Sequence, residues 1–287
     1  MTRARRAPLF AALALALALV AALGGCNKAD LGDFSLVDGL RLLGVQAVPP
    51  EALPGDQVTL TAWTFDTHGG SVDVSWSACL LPSNGTANDG CTDGSGNGLV
   101  GLGSGESITI TVPDLDPATL GPSDASFGVY LPIVVNLRSP DDSAIGVYRL
   151  RVRETAAPGC TLAGPYSPGC VPNQNPVIDG IDPLGPDAGP LVAHEDELWA
   201  LVAKYIDDSD EMYKVPSVDT PEVPERLTTQ WFATAGTFPD QPVGGTAVQK
   251  FTLDRKVPPP GGTVDLWVVG HDERGGTGMY HRSFVIQ

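Results

Sequence analysis

From Leu40 onward the chain runs in short apolar stretches that Pro, Gly, Asn and Asp interrupt. Val72, Val74, Trp76 and Ala78 alternate with Asp73, Ser75 and Ser77, and Ile108, Ile110 and Val112 repeat that period. A period of two sends successive side chains to opposite faces, so each run predicts a strand with one buried face. Leu40 to Val48, Val58 to Ala62, Tyr130 to Leu137 and Val147 to Val152 join them, the last two closing a hairpin around Ser139-Pro140-Asp141-Asp142. A second block follows from Asn175, with strands predicted over Leu198–Tyr205, Leu227–Phe232, Lys250–Leu253, Val264–His271 and Met279–Ile286. A helical period is nearly absent, and short strands with frequent turn residues predict an all-β chain.

The two blocks match in order. Val58–Phe65 ending in Asp66 parallels Leu198–Tyr205 ending in Asp207, and Ser75-Trp76-Ser77-Ala78 parallels Gln230-Trp231-Phe232-Ala233. Val147-Tyr148 and Met279-Tyr280 each fall in a closing hairpin. The expectation is a duplication of one unit: two tandem antiparallel Ig-like β-sandwiches over 40–153 and 173–287, joined by a Cys-containing linker over 154–172. Trp76 and Trp231 are the expected core plugs; Trp63, Trp199 and Trp267 are left between core positions and a sugar-stacking platform.

The first 25 residues read differently. Arg3, Arg5 and Arg6 precede an apolar run from Pro8 to Ala22, about 15 residues where a bilayer-crossing helix needs about 20. That is the form of a secretory leader. Leu23-Gly24-Gly25-Cys26 resembles the lipobox of bacterial lipoproteins, which implies cleavage before Cys26 and a diacylglyceryl group on its sulfur. The membrane partner would then be reached through lipidated Cys26, with residues 26–39 as a tether and a second acyl chain making the anchor stable. Asn27, rather than Asp, follows the cysteine, which by enterobacterial sorting favours the outer membrane. An ordinary leader with an incidental cysteine is the plainer alternative.

A second resemblance rests on the mid-strand tryptophans, on Ala235-Gly236-Thr237-Phe238 after Trp231, and on the closing run Val268 to Gly276. Together they resemble bacterial Ig-like domains, including those similar to polycystic-kidney-disease repeats. The resemblance implies a fold and an envelope setting, and it carries no catalytic residues. A disulfide spanning the two sheets, common in immunoglobulin domains, is missing from the pattern.

Charge and cysteines narrow the partners. The formal net charge is −17, and removing the three leading arginines makes it −20, because no acidic residue precedes Cys26. Nucleic acid is thereby excluded as a partner, since its binding needs a basic footprint, and anionic lipid headgroups offer no electrostatic hold. An exported chain meets oxidising conditions, so Cys79, Cys91, Cys160 and Cys170 are expected to pair. Three connectivities are open; Cys79–Cys91 and Cys160–Cys170 join near neighbours and are favoured. No CxxC spacing supports zinc.

Candidate chemistry is sparse. Leu80 to Gly105 is glycine-rich but lacks the following helix that a phosphate loop requires, so a stapled insertion is expected. Asp207, Asp208 and Asp210 are the candidate calcium ligands, completed by Glu222, Glu225 or Asp272, although EF-hand spacing is absent. His271, Asp272 and His281 lie on the arms of the last hairpin and would meet at a metal in one register only, with His194 as the further imidazole of this block. Neither Gly-x-Ser-x-Gly nor HExxH occurs, and nothing selects a carboxylate pair. The expectation is a lipid-anchored, non-enzymatic binding, adhesion or spacer module that meets another envelope protein or a polysaccharide. Calcium-dependent adhesion is the alternative, and a loop-based hydrolase is the weaker third.

Overall fold

Alternation becomes strand through most of both blocks. The first block gives β1 (Leu40–Val48), β2 (Glu51–Ala52), β3 (Gln57–Asp66), β4 (Asp73–Cys79), β5 (Leu99–Ser104), β6 (Ser107–Thr111), β7 (Gly128–Arg138) and β8 (Ser143–Arg153). The second gives β9 (Ile178–Asp182), β10 (Val192–Ala193), β11 (Leu198–Tyr205), β12 (Met212–Tyr213), β13 (Val223–Pro224), β14 (Thr228–Ala233), β15 (Val243–Gly244), β16 (Gln249–Thr252), β17 (Thr263–His271) and β18 (Thr277–Ile286). This computed structural model describes residues 34–80, 98–114, 128–153, 172–182, 192–193, 198–206, 209, 211–213, 223–238, 243–253 and 262–286. Residues 35–287 belong to one compact unit. The chain is all-β.

Strand order repeats between the halves. β1-β3-β6 faces β2-β8-β7-β4-β5 in the first, and β9-β11-β16 faces β10-β18-β17-β14-β15 in the second, with β12-β13 as a separate pair. The two-residue strands β2 and β10 pair parallel with β8 and β18, and every other pairing of named strands is antiparallel. Each half encloses its own core. The first gathers Val45, Leu60, Trp76, Ile133 and Leu150, and the second gathers Ile181, Leu201, Trp231, Phe251 and Leu266. Trp76 and Trp231 are 1% and 0% exposed, as core plugs should be. Their indole N–H groups are satisfied internally, by the Gly105 carbonyl at 2.7 Å and the Thr229 hydroxyl at 3.2 Å. Register places Trp76, Val135 and Gly146 in the row that Trp231, Val268 and Tyr280 occupy, so Gly146, not Tyr148, is the counterpart of Tyr280.

After Trp231 the chain crosses from one sheet to the other. The Thr237 amide donates to the Thr252 carbonyl, and Ala235 and Phe238 are buried. Gly236 sits at φ 90°, and a Cβ there would lie 2.6 Å from the Phe251 ring, so only glycine fits.

Two expectations are corrected. The glycine-rich segment 80–105 is not wholly an insertion loop: its end is β5, paired along β4 from Cys79↔Leu99 to Ser75↔Ser104. The tether expected over 26–39 ends before Ser35. The Ala233 amide donates to the Ser35 carbonyl and the Val37 amide to the Ala233 carbonyl, so residues 35–37 lie along the end of β14.

Candidate functional site

Between the halves lies an apolar layer that ordinary alternation does not produce. Outward residues of β1 and β3 (Leu43, Trp63, Phe65) meet outward residues of β14, β17 and β18 (Phe232, Trp267, Val269, Met279). Both faces of these strands are therefore covered, and the sheets stack in sequence: five strands, three, five, three. A bulge makes the contact possible. The β1–β3 register shifts between Leu42 and Gly44, which turns Leu43 out of the first core and into the shared layer. Gly44 stays small for the same reason, since a Cβ there would come within 3.2 Å of both Trp63 and Val269. Phe65 and Trp267 pack at 4.5 Å between ring centroids, and Trp267 stacks on His281 at 4.9 Å and 15°. Arg41 lies over the Phe232 ring, 5.1 Å from its centroid. The tryptophans left open by the sequence thus resolve: Trp63 and Trp267 serve this layer, and Trp199 packs against the second core.

One end of the layer is closed by polar groups around the β17–β18 turn. Arg274 donates through Nε to Glu225 at 2.7 Å and through an Nη to Glu211 at 2.6 Å, with its guanidinium over the Tyr213 ring. Asp272 accepts the Arg274 and Gly276 amides and the Asn173 side-chain amide. The Asn173 backbone amide donates to Glu51, which holds the buried Arg151 of β8 in an ion pair. Tyr148 donates to the Gly275 carbonyl, Gln46 to the Thr277 carbonyl and Asn175 to the Ala47 carbonyl, each crossing from one half to the other. Gly278 is required in this packing, because a Cβ there would lie 1.9 Å from the Pro176 carbonyl oxygen.

Four carboxylates, Glu51, Glu211, Glu225 and Asp272, thus face two guanidiniums, Arg151 and Arg274. Burial pushes the Glu225 carboxyl up to about 7, against the downward pull of Arg274. Burial likewise raises Asp272, opposed by the amides that donate to it. Arg274 is pulled down by burial but lifted overall by its bonds and charges from the glutamates. Glu225 Oε2 and Asn173 Oδ1 are buried and have no hydrogen-bond partner among the described residues.

The residues proposed from sequence fall into three groups. Cys26, Cys91, Cys160, Cys170, His194, Asp207, Asp208, Asp210 and Glu222 lie outside the described residues. Cys79 ends β4 at 6% exposure and is disulfide-bonded, with a partner that also lies outside them. Glu225 and Asp272 are brought together, though as partners of Arg274 and Asn173 rather than around a common point. Among the described residues no three His, Cys, Asp or Glu side chains are placed to hold a metal. The histidine pairing is overturned by register: His281 stands opposite Trp267 and His271 opposite Thr277, four positions apart along β17. His281 bonds Asp265 at 2.9 Å, and burial lowers His271 to about 4, which keeps it neutral.

No protein family matches the chain, and no curated relative does. Among solved structures it is similar to Drosophila N-cadherin EC1-4, at 9% identity over 85% of this chain and 49% of that one, with a TM-score of 0.22. It is also similar to red sea bream transglutaminase, at 11% identity over 88% and 32% with a TM-score of 0.24. A 1.5-MDa bacterial ice-binding adhesin aligns at 12% identity over 89% and 66%, with a TM-score of 0.23. The chain spans about half the length of the cadherin structure and about a third of the transglutaminase.

Proposed function

We propose that this chain is a lipid-anchored, non-enzymatic binding module of a bacterial envelope, which presents the open sheet faces of a stiff two-part body to a partner. The observation that supports this reading is the closed apolar layer joining Leu43, Trp63 and Phe65 to Phe232, Trp267 and Val269. With both halves fixed on one another, the body has little freedom to hinge, and what it offers is a fixed surface. The presenting surface is accordingly a sheet face and not only distal loops. Cys26 is the anchor, and the outer membrane is its proposed location. Cys26→Ser is expected to leave the fold intact and to release the protein from the membrane or stall its processing. A processed Cys26→Ser protein that still pellets with membranes refutes the anchor. Cross-linking in intact envelopes is expected to recover a specific partner, and recovery of none refutes the binding role.

A second reading has its own support. The carboxylates outnumber the guanidiniums around Arg274, Glu225 Oε2 and Asn173 Oδ1 have no hydrogen-bond partner among the described residues, and Glu211 of this cluster follows Asp210 directly in sequence. Calcium would supply positive charge there and stiffen the junction. Melting in calcium and in chelator decides it: an unchanged transition removes this reading.

A further inference from the structure

The outward face of the five-stranded sheet differs between the two halves at the row of Ser75 and Gln230. In the second half, the row Gln230, Val269, Met279 and the row Phe232, Trp267, His281 lie at the shared layer. The layer's second row, Phe232, Trp267, His281, is matched by register in the first half by Ser77, Val134, Val147. Its first, Gln230, Val269, Met279, is matched by the row Ser104, Ser75, Asn136, Ile145, beyond which lies the row Asp73, Arg138, Ser143. All seven side chains of these last two rows are exposed, and they flank a cavity of about 820 Å³. Four adjacent strands at about 4.8 Å spacing make this trough about 14 Å long across the sheet. None of its polar side chains is hydrogen-bonded within the described residues. Over these two rows the face is mostly polar, whereas the neighbouring row carries Val134, which is buried, and Val147.

The chemistry of the trough selects its occupant. Ser75, Ser104, Ser143 and Asn136 both donate and accept, Asp73 accepts, and Arg138 donates. Asp73 and Arg138 stand opposite each other with no ion pair between them and cancel in charge, in a chain whose net charge is −17. A sugar hydroxyl donates and accepts at once, so a mixed, neutral set of groups suits it, while Ile145, 61% exposed, offers a surface to the C–H face of a ring. Polyanions gain nothing here. Extended peptides bind chiefly through main-chain bonds at a free sheet edge, and β4 and β7 are paired on both sides.

We propose that this trough binds a neutral glycan chain lying across β4, β7 and β8. The inference rests on the binding-module reading above and names its ligand class. The test uses the full chain in detergent micelles, titrated with cellohexaose, laminarihexaose, maltohexaose and mannohexaose, and with hexagalacturonate as an acidic comparison. At least one neutral hexasaccharide is expected to bind, and Asn136→Ala and Arg138→Ala are each expected to weaken it by about tenfold, which corresponds to about 1.4 kcal/mol. Both positions are exposed, so unchanged melting certifies the fold of each variant. Binding of no neutral probe, preference for hexagalacturonate, or equal affinity in the Asn136→Ala/Arg138→Ala double variant overturns the inference. A photo-crosslinking residue at position 136 separates the two proposals. Capture of a protein in the absence of glycan binding overturns the glycan and leaves the binding module standing.

Discussion

The shared layer can be tested by a double-mutant cycle on Phe65 and Trp267, which belong to different halves and touch at 4.5 Å with a 57° tilt. Trp267 is 3% exposed. Its replacement by Ala is expected to cost about 3–5 kcal/mol, from lost transfer energy and the cavity left behind. Phe65 is half-buried, so Phe65→Ala should cost roughly half as much. The informative quantity is their coupling. Tilted aromatic pairs contribute about 0.5–1.5 kcal/mol beyond burial, and the double variant should therefore lose less than the sum of the singles by that amount. Urea unfolding followed by tryptophan fluorescence and by circular dichroism measures all four species. Wild type should unfold in one transition by both probes, because the layer ties the cores together. Trp267→Ala should separate the probes as the halves lose their contact. Additivity within about 0.3 kcal/mol would show that the rings do not meet in solution, and the face-to-face stack would fall with it.

Further outcomes follow from the junction and its tight glycines. Arg274→Met leaves Glu225 buried without its cation and is expected to cost about 3–5 kcal/mol in urea unfolding; adding Glu225→Gln should recover part of it. A carboxyl raised in the folded state favours its protonated form. The stability Glu225 contributes is thus full below about 4.5 and lost as pH rises through about 7, and Glu225→Gln should flatten stability measured across that window. His271 has the opposite sign: its contribution is full above about 6.5 and lost as pH falls through about 4, and His271→Gln should remove that slope. Gly278→Ala drives a Cβ into the backbone at Pro176 and should cost at least about 1–3 kcal/mol, whereas Gly101→Ala, with nothing within 4 Å, should stay within about 0.5 kcal/mol in the same assay.

Much of the strand pattern was legible, because one buried face writes a period of two. Leu198–Tyr205 is predicted to the residue, and both core tryptophans were identifiable from their alternating neighbours. The short strands β2, β10, β12, β13 and β15 were not, since two residues carry no period. β5 escaped because Leu-Val-Gly-Leu-Gly-Ser reads as loop, and its mostly exposed side chains give no apolar face. The layer between the halves did leave a signal. Val264 to Val269 is apolar at five of six positions, and a continuous apolar run marks a strand covered on both sides. The polar junction left little: Glu225 and Asp272 stand out only as candidate calcium ligands, and Glu51, Asn173 and Arg274, which converge with them from distant segments, look like ordinary surface residues in sequence.

The bulge at Leu43 has a consequence for how such a chain can be inherited. A one-residue slip reverses which side of a strand meets the core, so this single irregularity commits β1 to two neighbours at once. Excising either half would bare Trp63 and Phe65, or Trp267 and Phe232, as an adhesive apolar plate. Neither half is a bead that recombination can move alone. The transferable cassette is the pair, and new members of such a lineage should gain or lose it whole.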